Sequence, residues 1–185
     1  MNNKIFLLFT CILFAGCTGT CIYTDYQDIR SNEWSVDDTL CFELPRMDCP
    51  SVVSPTVMVR INDNYRHNRL NMLVELVAEK VVTEDTLSIE LFSKSGKSQG
   101  KGLVHPESVV HLPEIPLDTI NYTYRIRSLM TDSVTAGVSS IGIRIDKSVE
   151  EIAHLCGFND QSYFARQFKK SENLTCFSYR KMWRD

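Results

Sequence analysis

Seven cysteines are the residues of this 185-residue chain most able to do chemistry, and their spacing decides which chemistry. Cys11, Cys17, Cys21, Cys41, Cys49, Cys156 and Cys176 form no Cys-x-x-Cys pair, and none stands at zinc-ligand spacing from His67, His105, His111 or His154. No metal is expected. Cys17 differs from the rest in what precedes it: Lys4, an apolar run from Ile5 to Phe14, then Ala15-Gly16. The run is too short to span a bilayer and has the length of the apolar segment of an export leader. Small residues directly before a cysteine match a bacterial lipobox. There the thiol takes a diacylglycerol, the leader is cut away, and the new terminal amine takes another acyl chain. Residues 1–16 are thus read as a signal peptide and Cys17 as the lipidation site, with a buried N-terminal strand or helix as the alternative. Several acyl chains, at about 0.8 kcal/mol per buried methylene, would hold the chain stably on a bacterial membrane without spanning it. Five thiols then remain for an oxidising compartment, an odd number, so at least one stays free or pairs between chains. Cys41 and Cys49 flank a turn signal at Pro45 and can either bridge locally or stay unpaired.

Other chemistry has little support. No serine sits in a Gly-x-Ser-x-Gly elbow, and no carboxylates pair by spacing. Gly96-Lys97-Ser98 lacks the upstream glycine of a phosphate loop, and Leu103-Val104-His105-Pro106 follows it where a helix would be needed. Neither an enzyme nor a cofactor is expected. The chain carries 20 Lys and Arg against 23 Asp and Glu, so no general basic excess tracks a phosphate backbone. A nucleic-acid partner needs a local site.

The elements that position these residues change character near residue 147. Before it, short alternating runs predict strands: Leu40, Phe42 and Leu44 share one face, as do Val57, Val59 and Ile61, and Leu87, Ile89 and Leu91. Residues 122–127 and 141–145 repeat the pattern with arginines on the opposite face. Leu70, Leu73, Val74 and Val77 fit helical spacing as well as strand, and their strand neighbours favour strand. Five or six strands without helical crossovers predict an antiparallel β-sandwich or barrel with a real core. Trp34, Tyr65 and Tyr26 are either core residues or contact anchors.

The body resembles a family. Cys17, residues 23–29, Trp34 to Leu40, Arg60 to Leu70, Asp85-Thr86-Leu87, Gly100-Lys101-Gly102 and Met130 to Ile145 fall in the order found in the gliding-motility lipoprotein GldH family. The resemblance spans nearly all of 17–147. It implies an envelope lipoprotein of the Bacteroidetes facing the periplasm, associated with gliding motility and the secretion coupled to it. Its partners would be other envelope proteins of that machinery.

Residues 148–185 follow helical periodicity. Ser148 and Glu151 have capping-box spacing, and Val149, Ile152, Ala153 and Cys156 repeat at i, i+3, i+4, i+7. Gly157 ends that helix. Asn159 or Asp160 caps a second, with Tyr163, Phe164 and Phe168 on its apolar side and Arg166, Lys169 and Lys170 on its charged side. The run from Ser148 to Lys170 closely resembles the second helix-turn-helix of AraC/XylS-type transcription regulators. Asn173 and Cys176 stand where that family carries glycine and proline. The resemblance implies that the second helix enters a major groove, with Asp160, Gln161, Ser162 and Arg166 facing bases or phosphates. Ile152, Ala153, Phe158, Phe164 and Phe168 would be core. The family's first motif and linking helix are absent, and six Lys and Arg against five Asp and Glu neutralise few phosphates.

Three readings of the joined chain follow: an envelope lipoprotein carrying an acquired tail, a cytoplasmic transcription regulator, or a lipoprotein whose tail serves protein contact. The leader favours the first, because compartment is decided before a DNA-binding motif can act.

Overall fold

A computed structural model describes residues 21–92, 100 and 107–182. Cys17, the leader, His105 and the Gly96-Lys97-Ser98 triplet lie outside the described residues.

Two antiparallel sheets face each other. The first runs β1 (Cys21–Asp28), β11 (Val138–Lys147), β4 (Ser51–Ile61), with β7 (Glu107–His111) and β8 (Ile115–Leu117) sharing the far side of β4. The second runs β3 (Thr39–Glu43), β9 (Thr123–Ser128), β5 (Arg69–Val77), β6 (Val81–Glu90). A small ladder of β2 (Glu33–Ser35) and β10 (Val134–Ala136) closes one end. The expected sandwich is therefore present. Val53, Val57, Val59, Ile61, Ile141, Ile143 and Ile145 of the first sheet share one core with Phe42, Leu70, Met72, Val74, Leu76, Tyr124 and Ile126 of the second.

Period-two burial is clearest in β9 and underlies β5. In β5, Leu70, Met72, Val74 and Leu76 are all buried, which settles the helix-or-strand ambiguity of this segment as strand. In β9, Tyr124 and Ile126 point inward while Arg127 is exposed. β4 departs from the half-buried expectation. Thr56 and Met58, on its outward side, are as buried as the inward valines, because this central strand is covered on both faces. It also runs through Pro55, a residue normally confined to edges. Partnership of β4 passes from β8 (Val53 with Ile115) to β7 (Thr56 with His111) at that residue, and the Pro55 carbonyl accepts from the Leu112 amide at 3.0 Å. The missing N–H thus falls at a junction between neighbours.

The register places the strand ends at two poles. At the near pole lie the start of β1, the end of β11, the start of β4, the turn between β5 and β6, and the arch 118–122 between β8 and β9. The far pole gathers 29–38, 62–68 and 129–137.

β11 ends at Lys147, and three helices follow: α1 (Val149–Leu155), α2 (Gln161–Glu172) and α3 (Cys176–Met182). Ser148 is wholly buried. Its hydroxyl accepts from the Glu151 amide at 3.0 Å, as the capping box requires, but its own N–H donates to the Val52 carbonyl at 3.1 Å. The Glu151 side chain therefore does not complete the reciprocal half of the box. The cap instead ties α1 to the sheet.

Candidate functional site

Cys17, the predicted lipid acceptor, stands four positions before Cys21, where β1 begins at the near pole. Four Cα steps span at most about 14 Å. Among the described residues no helix is long and apolar enough to cross a membrane. Cys21, Cys41, Cys49 and Cys156 are free thiols, so the possible Cys41 to Cys49 bridge is not formed. No group of three metal-ligating side chains occurs among the described residues.

The far pole is where most segments that carry the GldH resemblance meet. Trp34 in β2 is fully buried opposite Thr135 in β10, and Tyr65 is 3% exposed, so both are core residues and not exposed anchors. Ser31 and Asn32 adopt left-handed backbone at φ 57° and 56°, which lets the Asn32 carbonyl accept from the Gly137 amide at 2.7 Å. Gly137 itself has φ +88° and lies against the Tyr65 backbone, where a Cβ would come within 2.1 Å of the amide nitrogen. Its carbonyl accepts from the Asn62 amide at 2.9 Å. The Tyr65 hydroxyl donates to the Arg69 carbonyl at 2.8 Å, closing the 62–69 loop on itself. Across the surface of this pole, His67 Nε2 lies 3.2 Å from Asp132 Oδ2, and Leu129 and Val134 are exposed. The result is an end composed of three loops tied together by backbone hydrogen bonds, with two exposed apolar side chains.

The outer face of the first sheet carries a second cluster. The Tyr26 ring lies over Gly142, and its hydroxyl donates to Glu107 at 2.8 Å. The Arg60 guanidinium sits 3.9 Å from the ring centroid, and its Nε donates to the same carboxylate at 2.9 Å. Burial, then the Glu107 hydrogen bond, pushes the Tyr26 hydroxyl up to about 12. Nearby, the wholly buried Asp146 pairs with Arg144 at 3.0 to 3.2 Å, and that hydrogen-bonded carboxylate raises the arginine pKa. Tyr26 and Glu107 are 81 positions apart, and nothing in the sequence patterning signals the cluster.

The tail forms helix, turn, helix. The turn after α1 is a Schellman arrangement: Gly157 takes φ +82°, its amide donates to His154, and the Phe158 amide donates to Ala153. Asp160 caps α2 through the Tyr163 amide, so this carboxylate, read as a base or phosphate contact, already serves the helix end. Gln161, Ser162 and Arg166 are exposed. Of the expected core, Ala153 and Phe164 are buried and Ile152, Phe158 and Phe168 half-buried. Rings of Phe158, Phe164, Phe168 and Tyr179 touch in series at 5.2 to 5.8 Å. Tyr163 differs from expectation. It is 48% exposed, at the margin of that stack, because the four-ring core is too small to cover it. Asn173 takes the left-handed position at φ 56° that a glycine would occupy, and Thr175 caps α3 through the Ser178 amide at 3.0 Å. The tail therefore folds through both departures from the family pattern.

Two family models match different parts of the chain. The family model "GldH lipoprotein" matches residues 21–145, and the model "Bacterial regulatory helix-turn-helix proteins, AraC family" matches residues 146–181. A "Gliding motility lipoprotein GldH homolog" of Christiangramia forsetii is 28% identical over 152 residues, covering 76% of this chain and 93% of its own. A "Gliding motility lipoprotein GldH" of Flavobacterium johnsoniae is 25% identical over 156 residues, covering 80% and 98%. Among solved structures, dimeric latent PorU from Porphyromonas gingivalis aligns with 72% of this chain and 14% of its own at 9% identity and a TM-score of 0.33, too slight a likeness to bear on fold or function.

Proposed function

Since the chain belongs to the GldH lipoprotein family, we propose that it is a non-enzymatic envelope protein tethered by lipid on Cys17, facing the periplasm and acting through protein contacts in gliding motility and the secretion coupled to it. The observation that carries this reading is the family match over 21–145, with Cys17 and its apolar leader immediately upstream. The chain then divides into a leader 1–16, a lipoprotein domain 17–147 and a partial helix-turn-helix 148–185. The far pole, with its interlocked loops and exposed Leu129 and Val134, is the surface best suited to a partner in that machinery. Metabolic labelling with a fatty-acid analogue tests the tether. The wild type takes the label and Cys17→Ala does not; equal labelling of both ends the proposal.

A second reading, an AraC-type transcription regulator acting in the cytoplasm, is favoured by the match over 146–181 and by the exposure of Gln161, Ser162 and Arg166 on α2. It requires DNA held at physiological salt by the full chain and released on Arg166→Ala. Salt-independent absence of binding removes it, and so does export of the chain.

A further inference from the structure

We infer that the near pole of the sandwich rests on the bilayer that holds the lipid, with the start of β6 and the arch 118–122 as its contact points. This inference rests on lipidation at Cys17. Two independent observations carry it. The first is reach: only four residues separate Cys17 from β1, so an acylated Cys17 at the headgroup level holds the β1 end of the body within about 14 Å of the lipid. The register puts that end in company with the start of β4, the end of β11, the β5 to β6 turn and the β8 to β9 arch. The second is the distribution of exposed apolar side chains. Val81 and Val82 open β6 directly after the turn, at 42% and 47% exposure, and Ile120 stands in the arch at 47%. Three large apolar side chains at the tips of two adjacent connections, beside the end that follows Cys17, give this pole an apolar tip that can enter the headgroup layer.

The charges select the kind of contact. On this pole Lys80, Arg46 and Lys147 stand against Glu79, Asp48 and Asp118, and the Arg46 Nε is already committed to the Thr119 carbonyl at 2.7 Å. Among the described residues of the sandwich these charges balance, so the contact depends on apolar area and on the tether, with the helical tail joined to the same pole at Ser148. The same orientation turns the far pole away from the membrane, toward the periplasmic space where a partner can reach it.

The test uses the full mature acylated chain in phosphatidylethanolamine and phosphatidylglycerol vesicles, with intact mass confirming the lipid on Cys17. Ile120→Trp and Val134→Trp variants report from the two poles against brominated phospholipid. The expected result is blue-shifted, quenched emission from the added tryptophan at position 120 and no added quenching at position 134. Amide exchange on the unsubstituted protein gives a second measurement that needs no variant: residues 78–82 and 118–122 slow on vesicles relative to the chain released from lipid, and 129–135 do not. Equal quenching at both positions, or unchanged exchange at 78–82 and 118–122 in a protein whose mass shows the lipid, overturns the inference and leaves the near pole free for a protein partner. A mass without lipid overturns the tether itself, and the inference with it.

Discussion

A methyl group added at Gly137 would overlap the Tyr65 backbone, and the glycine's φ of +88° is strained for any other residue. Gly137→Ala is expected to cost about 2 kcal/mol or more, read as a drop in the chemical-denaturation midpoint, because backbone atoms on both sides of the clash are held by hydrogen bonds. Gly142→Ala is the control. Its Cβ would meet the Tyr26 ring at 2.6 Å and the Asp25 carbonyl at 3.0 Å, so relief needs the half-buried ring to leave Glu107 and Arg60 and the β1 backbone to give slightly, a smaller loss than the backbone overlap at Gly137. Tyr26 also predicts a pH dependence. With its hydroxyl pushed up from 10.0 to about 12, the folded state favours the protonated phenol. This stabilisation is present below pH 10 and is lost as the pH rises toward about 12. Tyr26→Phe should flatten part of that loss in denaturation midpoints taken across this range, with the remainder left by Tyr65 and Tyr124, whose hydroxyls burial also raises. None of these residue-level features was legible in the sequence. A glycine does not announce which backbone it will approach, and Tyr26 meets Arg60 and Glu107 only because β1, β11, β4 and β7 lie side by side.

At the scale of elements, Ser148 joins the sheet to the helices. Ser148→Ala removes the bond from the Glu151 amide and should destabilise α1 by about 1 kcal/mol, measured as faster amide exchange at 151–153 with the sandwich strands unchanged. The cap, the Gly157 stop and the start of α2 were readable, since each depends on neighbours within a few positions. The alternating strands were readable too, through Phe42, Ile126 and Ile143, whose apolar neighbours recur every second residue in the sequence. Other elements escaped. β1 alternates weakly because it is a half-exposed edge, β8 has three residues, and β4 hid its length behind Pro55 and its double burial behind Thr56 and Met58. Such strands are defined by which neighbours cover them, and that is a property of topology.

For the whole molecule, the sandwich and the tail have separate cores. The main cluster includes no residue beyond Ile145, and the tail has its own stack of aromatic rings. A chain ending at Lys147 should keep the cooperative unfolding of the full protein, with far-UV helix signal lost and sandwich exchange protection retained. The acidic body and slightly basic tail were separable in the sequence by periodicity alone, whereas the two poles, one at the start of β1 and one composed of interlocked loops, emerge only from the register. Whether this protein is an envelope lipoprotein can be read from the intact mass of the chain isolated from its own cells. The expected result is a membrane-fraction protein whose polypeptide begins at Cys17 and whose mass exceeds residues 17–185 by its acyl chains. A soluble chain that begins at Met1, free of lipid, would contradict it.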